Sequence, residues 1–215
     1  MSRPAPDAGG RSGAGPSWEA MTRLLGRRLA VSAVAMDPAA RRIVLVGPMG
    51  AGKTTVGREL SHTTGMAFVD ADELFVEAFG PIPAFFSARG EPAFRAGEAR
   101  VIAHVLDHPV PCVLACGGGA VVTAATRRLL RRPESLVVQL QVGEEEALAR
   151  LGGGEGRPVL AGDPAGTWRR ILAERAPLYR EVADLTVDGT GEAPALTASR
   201  IVEAIHHPQR SDSRP

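Results

Sequence analysis

Short apolar, β-branched runs alternate along most of the chain with longer segments whose apolar positions recur every three to four residues. The runs predict strands at Ile43–Val46, Ala67–Asp70, Cys112–Cys116, Leu136–Val142 and Leu185–Asp188. Helical periodicity sets in from about Lys53, Ala71, Glu91, Thr123, Glu144, Pro164 and Pro194. Strand and helix in alternation is the signature of βαβ units, in which crossover helices cover a parallel sheet. The expected fold is therefore a single α/β domain over residues 41–207. Residues 1–40 are rich in Gly, Pro, Ala, Ser and Arg without sustained periodicity, and are expected to form a disordered leader that adds nothing to the core. Residues 208–215 are expected to be a flexible tail.

Composition narrows the class. A chain of 215 residues with 44% hydrophobic and 23% charged positions fits one globular core. A net charge of +1 argues against a protein that binds by covering a nucleic-acid backbone with positive charge. No stretch approaches the roughly 18 unbroken apolar residues of a membrane helix, so neither nucleic acid nor membrane is an expected partner. Leu29–Met36 follows Arg27 and Arg28 in the manner of a weak export or transit segment. The nucleotide chemistry further along favours a cytoplasmic enzyme instead, with Met21 or Met36 as alternative starts. Cys112 and Cys116 lie four apart in one predicted strand, about 13 Å at 3.3 Å per residue, too far for a disulfide. They read as small buried hydrophobes in a reducing compartment. Lys53 is the only lysine among the 25 Lys and Arg residues, and asparagine is absent.

That lysine falls in the strongest motif. Gly47-Pro48-Met49-Gly50-Ala51-Gly52-Lys53-Thr54 follows a strand and opens a helix, which is the P-loop pattern in its required context. The glycines let backbone N–H groups turn toward a β-phosphate, and the helix N-terminus adds positive potential. Lys53 reaches the β- and γ-oxygens, and the Thr54 hydroxyl can ligate Mg²⁺. Asp70 and Asp72 end the second strand, at the sheet edge where open α/β folds meet ligands. Either one can serve as a helix cap or as a ligand for metal or hydroxyl. Gly117-Gly118-Gly119 ends the third strand, where a ligand can approach the backbone closely. Gly152-Gly153-Gly154-Glu155-Gly156-Arg157-Pro158 suits a loop that closes over a phosphate.

In this order the motifs resemble the shikimate kinase family over roughly residues 42–206. After the P-loop come Asp70-Ala71-Asp72, then Gly90-Glu91-Pro92-Ala93-Phe94-Arg95-Ala96-Gly97-Glu98, similar to the family's GExxFRxxE. Gly117–Gly119, the lid Arg157-Pro158-Val159-Leu160 and Glu174-Arg175-Ala176-Pro177-Leu178-Tyr179, similar to ERxPLY, complete the series. The resemblance implies a P-loop kinase fold with a five-stranded parallel sheet in the order 2-3-1-4-5. It also implies a monomeric enzyme transferring the ATP γ-phosphoryl group to the 3-hydroxyl of shikimate with Mg²⁺ as cofactor. Gly50, Ala51, Gly52, Lys53, Thr54 and Thr55 would hold the ATP phosphates, and Thr54 and Asp70 the metal. Arg150 would lie against adenine, and Arg157 would reach the transferring phosphate. On the acceptor side, Asp72 would take the ring hydroxyls, and Arg95 and Arg175 the carboxylate. Gly118 and Gly119 would offer their backbone, Glu98 would orient Arg95, and Phe86 and Phe94 would pack near the ring. Lys53, Asp72 and Arg157 are the catalytic candidates. Planar guanidinium forks suit a carboxylate whatever the family name.

Three departures stand beside the match. Pro81-Ile82-Pro83 interrupts what the family continues toward helix, so the substrate-side subdomain is expected to begin one turn later. Gly97 weakens its helix by about 1 kcal/mol relative to alanine, and Asp188–Pro194 lacks an arginine for the adenine. A different P-loop kinase, acting on gluconate or a nucleoside monophosphate, would share the nucleotide half but leaves Arg95, Gly117–Gly119 and Arg175 unexplained. A nucleotide-binding module without turnover would have no use for the acceptor-side set.

Overall fold

The computed structural model describes residues 18–30, 42–152 and 162–207. Five strands form one parallel sheet: β1 (Arg42–Val46), β2 (Ala67–Asp70), β3 (Cys112–Ala115), β4 (Ser135–Gln141) and β5 (Leu185–Asp188), ordered β2-β3-β1-β4-β5. The expected order is thus the observed one. β1 lies at the centre, with Val44 opposite Leu114 of β3 and Val137 of β4. The β1 run is buried on both faces, as the middle strand of a covered parallel sheet must be.

The helices are α1 (Trp18–Leu29), α2 (Lys53–Thr64), α3 (Ala71–Phe79), α4 (Ile82–Asp107), α5 (Ala124–Leu130), α6 (Glu144–Arg150), α7 (Pro164–Val182) and α8 (Pro194–His206). Side chains alternate across each strand, so the sheet separates two cores. Val44 and Val46 belong to the cluster that includes Leu74 of α3, Val101 of α4 and Tyr179 of α7. Ile43 and Leu45 belong to the other, with Leu60 of α2, Ala147 of α6 and Ile201 of α8.

α1 corrects the expectation of a featureless leader. Met21, Leu25 and Leu29 recur at helical spacing and are buried in the first core, at 2% exposure or less. Glu19 in the first turn and Arg27 and Arg28 in the last complement the helix dipole. A free helix of this length is marginal in water, so packing supplies its stability. The remainder of the leader, with the Val31–Met36 part of the export-like run, and the tail 208–215 lie outside the described residues.

The helix expected from Glu91 is the second part of a longer element. α4 begins at Ile82, with Pro81 at its N-cap and Pro83 in its first turn, where a proline's missing N–H is no loss. Gly90 then breaks the helical geometry at φ 77°, ψ 169°, and Pro92 follows in the first turn of the resumed helix. The prolines therefore delimit two stretches of one kinked element. Gly97 has a packing reason: a Cβ there would lie 2.8 Å from the Phe75 ring. The lost helix propensity allows α3 and α4 to approach.

Leu25→Ala tests whether α1 is integral to the core. The side chain is fully buried, and truncation with partial collapse costs about 2–5 kcal/mol. Urea denaturation should give that loss; a change below about 0.5 kcal/mol, the size typical of surface substitutions, would mean that α1 is dispensable.

Candidate active site

The nucleotide half of the site grows from β1 and α2. Gly47, Gly50 and Gly52 have φ of 142°, 83° and 83°, a series of positive values available to glycine at little cost. They let the chain fold back on itself before α2 starts at Lys53 without a side-chain cap. The first turn of α2 thus presents the positive end of a helix to the cleft. The loop carbonyls are held from several directions. Lys53 Nζ donates to Gly47 O and Pro48 O, both at 2.9 Å, Trp168 Nε1 donates to Met49 O at 3.0 Å, and Arg150 Nη1 donates to Gly50 O at 3.0 Å. Residues 49–56 and Arg150 line a cleft of about 580 Å³ whose other walls include Asp70, Asp72, Cys116, Gly117 and Gly118.

Asp70 sits where the two halves meet. Its Oδ2 accepts the Thr54 hydroxyl at 2.7 Å, while Oδ1 accepts the N–H groups of Asp72 and Glu73 at 3.0 and 3.2 Å. It is both the cap of α3 and the partner of the P-loop threonine. Thr54 and Asp70 offer adjacent hard oxygen donors at the start of α2. Among the described residues no cluster of three or more His, Cys, Asp or Glu side chains is placed to hold a metal. Two protein oxygens suit Mg²⁺, which relies on water and phosphate for the rest of its shell.

The second wall is built on glycine backbone. A Cβ added at Gly117 would lie 2.7 Å from Asp72 Oδ1 and 2.8 Å from Glu98 Oε1, so a larger residue would displace the two carboxylates. Gly119 packs against the Arg95 guanidinium with no more room. Arg95 Nη1 donates to Glu98 Oε2 at 2.8 Å, its Nε approaches Glu91 at 3.3 Å, and its guanidinium lies 5.1 Å from the centre of the Phe94 ring. Arg175 Nη1 and the Tyr179 hydroxyl both donate to Gly118 O, at 3.1 and 2.6 Å. Phe86 stacks on Phe94 with ring centres 4.7 Å apart.

The charges in this wall perturb one another. Burial raises the Asp72 carboxyl above its usual range and the nearby charge of Asp70 adds to the rise, while Lys53 and Arg95 oppose it. Burial likewise raises Glu98 in spite of the adjacent Arg95. The Cys116 thiol, fully buried beside Glu98 and Asp72, is pushed well up and stays a neutral hydrophobe. The Tyr179 hydroxyl is pushed up to about 12 by burial and stays a donor.

Of the residues singled out from sequence, Gly50–Thr55, Asp70, Asp72, Gly118 and Arg150 line one cleft, and Arg95, Gly119 and Arg175 stand in the wall behind it. Arg157 and the lid fall outside the described residues. Arg150 pairs with Glu146, whose other oxygen accepts the Gly191 N–H at 2.7 Å, tying the P-loop to the 188–194 turn. In place of the missing arginine that turn contributes Gly189, Glu192 and Pro194 to the cleft. Two positioning side chains carried no role in the sequence reading: Trp168 and Tyr179. Both are buried on α7, at helical spacing with Ile171 and Val182, and that stripe is the signal that marks them.

The sequence model of the shikimate kinase family matches residues 49–206, leaving α1 outside the matched segment. The shikimate kinase of Halorhodospira halophila is 46% identical over 166 residues, 76% of this chain and 93% of that protein. The shikimate kinase of Saccharopolyspora erythraea is 46% identical over 173 residues, 79% of this chain and 95% of the other. Among solved structures, the shikimate kinase of Acinetobacter baumannii in complex with shikimate superimposes with a TM-score of 0.75 at 38% identity, covering 80% of this chain and 96% of that one. The matched span takes in the arginine-bearing wall as well as the phosphate cradle that P-loop kinases share, and the chain belongs to the shikimate kinase family.

Proposed function

We propose that the chain transfers the γ-phosphoryl group of ATP to the 3-hydroxyl of shikimate, giving shikimate 3-phosphate and ADP. The observation that carries this reading is the position of Asp72, which lines the cleft with Lys53 and Thr54 and at the same time packs on Gly117 beside Glu98. One carboxylate therefore faces both the phosphate cradle and the wall that bears the arginines.

In this reading the backbone of residues 50–55 and the start of α2 hold the phosphates, and Lys53 offsets the charge of the transferring group. Arg150, held on Gly50 O, lies toward the adenine end. Thr54 and Asp70 would hold Mg²⁺, which when bound supplies positive charge to the β- and γ-phosphates. Arg95, fixed by Glu98, and Arg175, fixed on Gly118 O, present donors to the acceptor carboxylate, and the Gly118–Gly119 backbone borders it. Asp72 accepts the hydrogen bond of the acceptor hydroxyl. As the acceptor oxygen bonds to the γ-phosphorus, the bond to the β–γ bridging oxygen breaks and the hydroxyl proton passes to Asp72 or to water. The elevated proton affinity of Asp72 suits that role. By the family resemblance, Arg157 would reach the transferring phosphate as a lid residue. We read the enzyme as a cytoplasmic monomer; no helix among the described residues is long and apolar enough to cross a membrane.

A coupled ADP-release assay with shikimate, gluconate and nucleoside monophosphates tests the acceptor. Shikimate-dependent release should dominate, and equal or greater turnover with another acceptor would overturn the assignment. Asp72→Asn keeps the side chain's shape but removes its charge, so kcat should fall by about 10² or more while ATP affinity is kept. Near-normal kcat would remove Asp72 from the mechanism. Arg95→Lys keeps the charge and loses the planar fork. It should raise the KM for shikimate and leave the KM for ATP near that of the wild type; an unchanged shikimate KM would take Arg95 out of the carboxylate clamp.

A further inference from the structure

α1 lies on the acceptor side of the molecule and reaches that half of the cleft by two routes. The first is a line of aromatic rings. Trp18 meets Phe79 edge-on with centroids 4.7 Å apart, Phe79 meets Phe75 at 4.9 Å, and Phe75 meets Phe94 at 5.0 Å. The Arg95 guanidinium then lies 5.1 Å from the Phe94 centroid. All of these separations are within the range at which aromatic rings and cations interact, so the line is continuous from the first residue of α1 to Arg95. The Arg100 guanidinium sits over the Trp18 ring, 3.7 Å from its centre, which ties α1 to the helix that carries Arg95.

The second route starts at the opposite end of α1. Arg28 lies 3.4 Å from Glu73 Oε2 and pairs also with Glu77, both on α3. Glu73 Oε1 is taken by Arg58 of α2 at 2.8 Å, and the Glu73 N–H is one of the two donors to Asp70. Arg28 therefore pins the residue next to Asp72 from outside while the P-loop helix pins it from the other direction. α3 has nine residues, too few to hold its own geometry in water. Its orientation is set by what packs on it, and α1 supplies much of that packing.

We propose that α1 is a positioning element for the acceptor half of the site, with Trp18 setting the placement of Arg95 through the ring line and Arg28 setting the placement of Asp72 through Glu73. Neither residue touches a substrate. The ring line from Trp18 ends on the acceptor wall, because the phosphate cradle is held by Lys53, Trp168, Arg150 and the backbone of its own loop, none of them in α1. The Arg28 route passes Glu73, which also meets Arg58 of α2 and Asp70, so its effect is read in kcat. The inference rests on the reading that Asp72 and Arg95 serve the acceptor.

The experiment compares Trp18→Ala, Trp18→Phe and Arg28→Gln with the wild type in the full chain, measuring kcat and the KM for ATP and shikimate well below each variant's melting temperature. Trp18→Ala should raise the KM for shikimate by about three- to tenfold, as expected for a small misplacement of binding groups. The KM for ATP should stay within about twofold, and Trp18→Phe should restore most of the loss because a ring persists. Arg28→Gln should act mainly on kcat, through Asp72. If Trp18→Ala does not fold, Trp18→Leu leaves a smaller void and lacks the ring, and the same split is expected. An unchanged shikimate KM in a folded variant lacking the ring, or equal rises for ATP and shikimate, would overturn the proposal and leave α1 a purely structural cover. Wild-type turnover separates the two failures: a wild type that prefers another acceptor overturns the acceptor assignment, and the split is then read with that acceptor.

Discussion

A single carboxylate fixes the relation between the two halves of this enzyme. Asp70 caps α3 with one oxygen and takes the Thr54 hydroxyl with the other. The first interaction sets the direction in which α3, and with it Asp72, leaves the sheet. The second locks that departure to the helix that begins at the phosphate cradle. Both depend on strand order: β2 and β1 are separated only by β3, so the P-loop, the Asp70 turn and the glycine run of residues 117–119 all emerge along one sheet edge. The C-terminal edge of a parallel sheet is where such loops converge, and here each of the three contributes a different chemistry.

The wall behind Asp72 is shaped by atoms that are absent. Gly117 and Gly119 leave room for Asp72, Glu98 and Arg95 to lie against bare backbone, and Gly118 turns its carbonyl to two donors from α7. Arg127 holds the segment just beyond, donating to Val121 O and Val122 O while its Nε faces Glu181 of α7 at 2.8 Å. A turn that would be pliable alone is thus fixed at both ends by one helix and its partners. The half-buried Asp72 and the buried Glu98 carboxylates are kept near guanidinium groups, which limits the cost of holding charge out of water.

Much of this was legible in the residue pattern, because strands buried on both faces and helices with one apolar stripe leave strong periodic signals. The sheet order came from motif resemblance, since periodicity says nothing of which strands are neighbours. α1 escaped because Trp18, Met21, Leu25 and Leu29 form a short stripe flanked by Gly- and Arg-rich sequence, and its partners Phe79 and Arg100 lie far along the chain. Gly97 looked like a weak point since propensity counts only the helix's own backbone; the Phe75 ring that requires it belongs to another element. The roles of Trp168 and Tyr179 are likewise tertiary, each defined by a carbonyl on a distant loop.

The solitary lysine gives the chain an unusual chemical handle. Lys53 lines the cleft and its ammonium rests on two P-loop carbonyls, while every other side-chain cation of the Lys and Arg type is a guanidinium. Reagents that acylate primary amines therefore have two kinds of target in the whole molecule, the chain's own α-amino group and the phosphate cradle. Amine coupling to a surface or a dye would orient the protein through its terminus or occupy the nucleotide site, and labelling in the presence of nucleotide would separate the two.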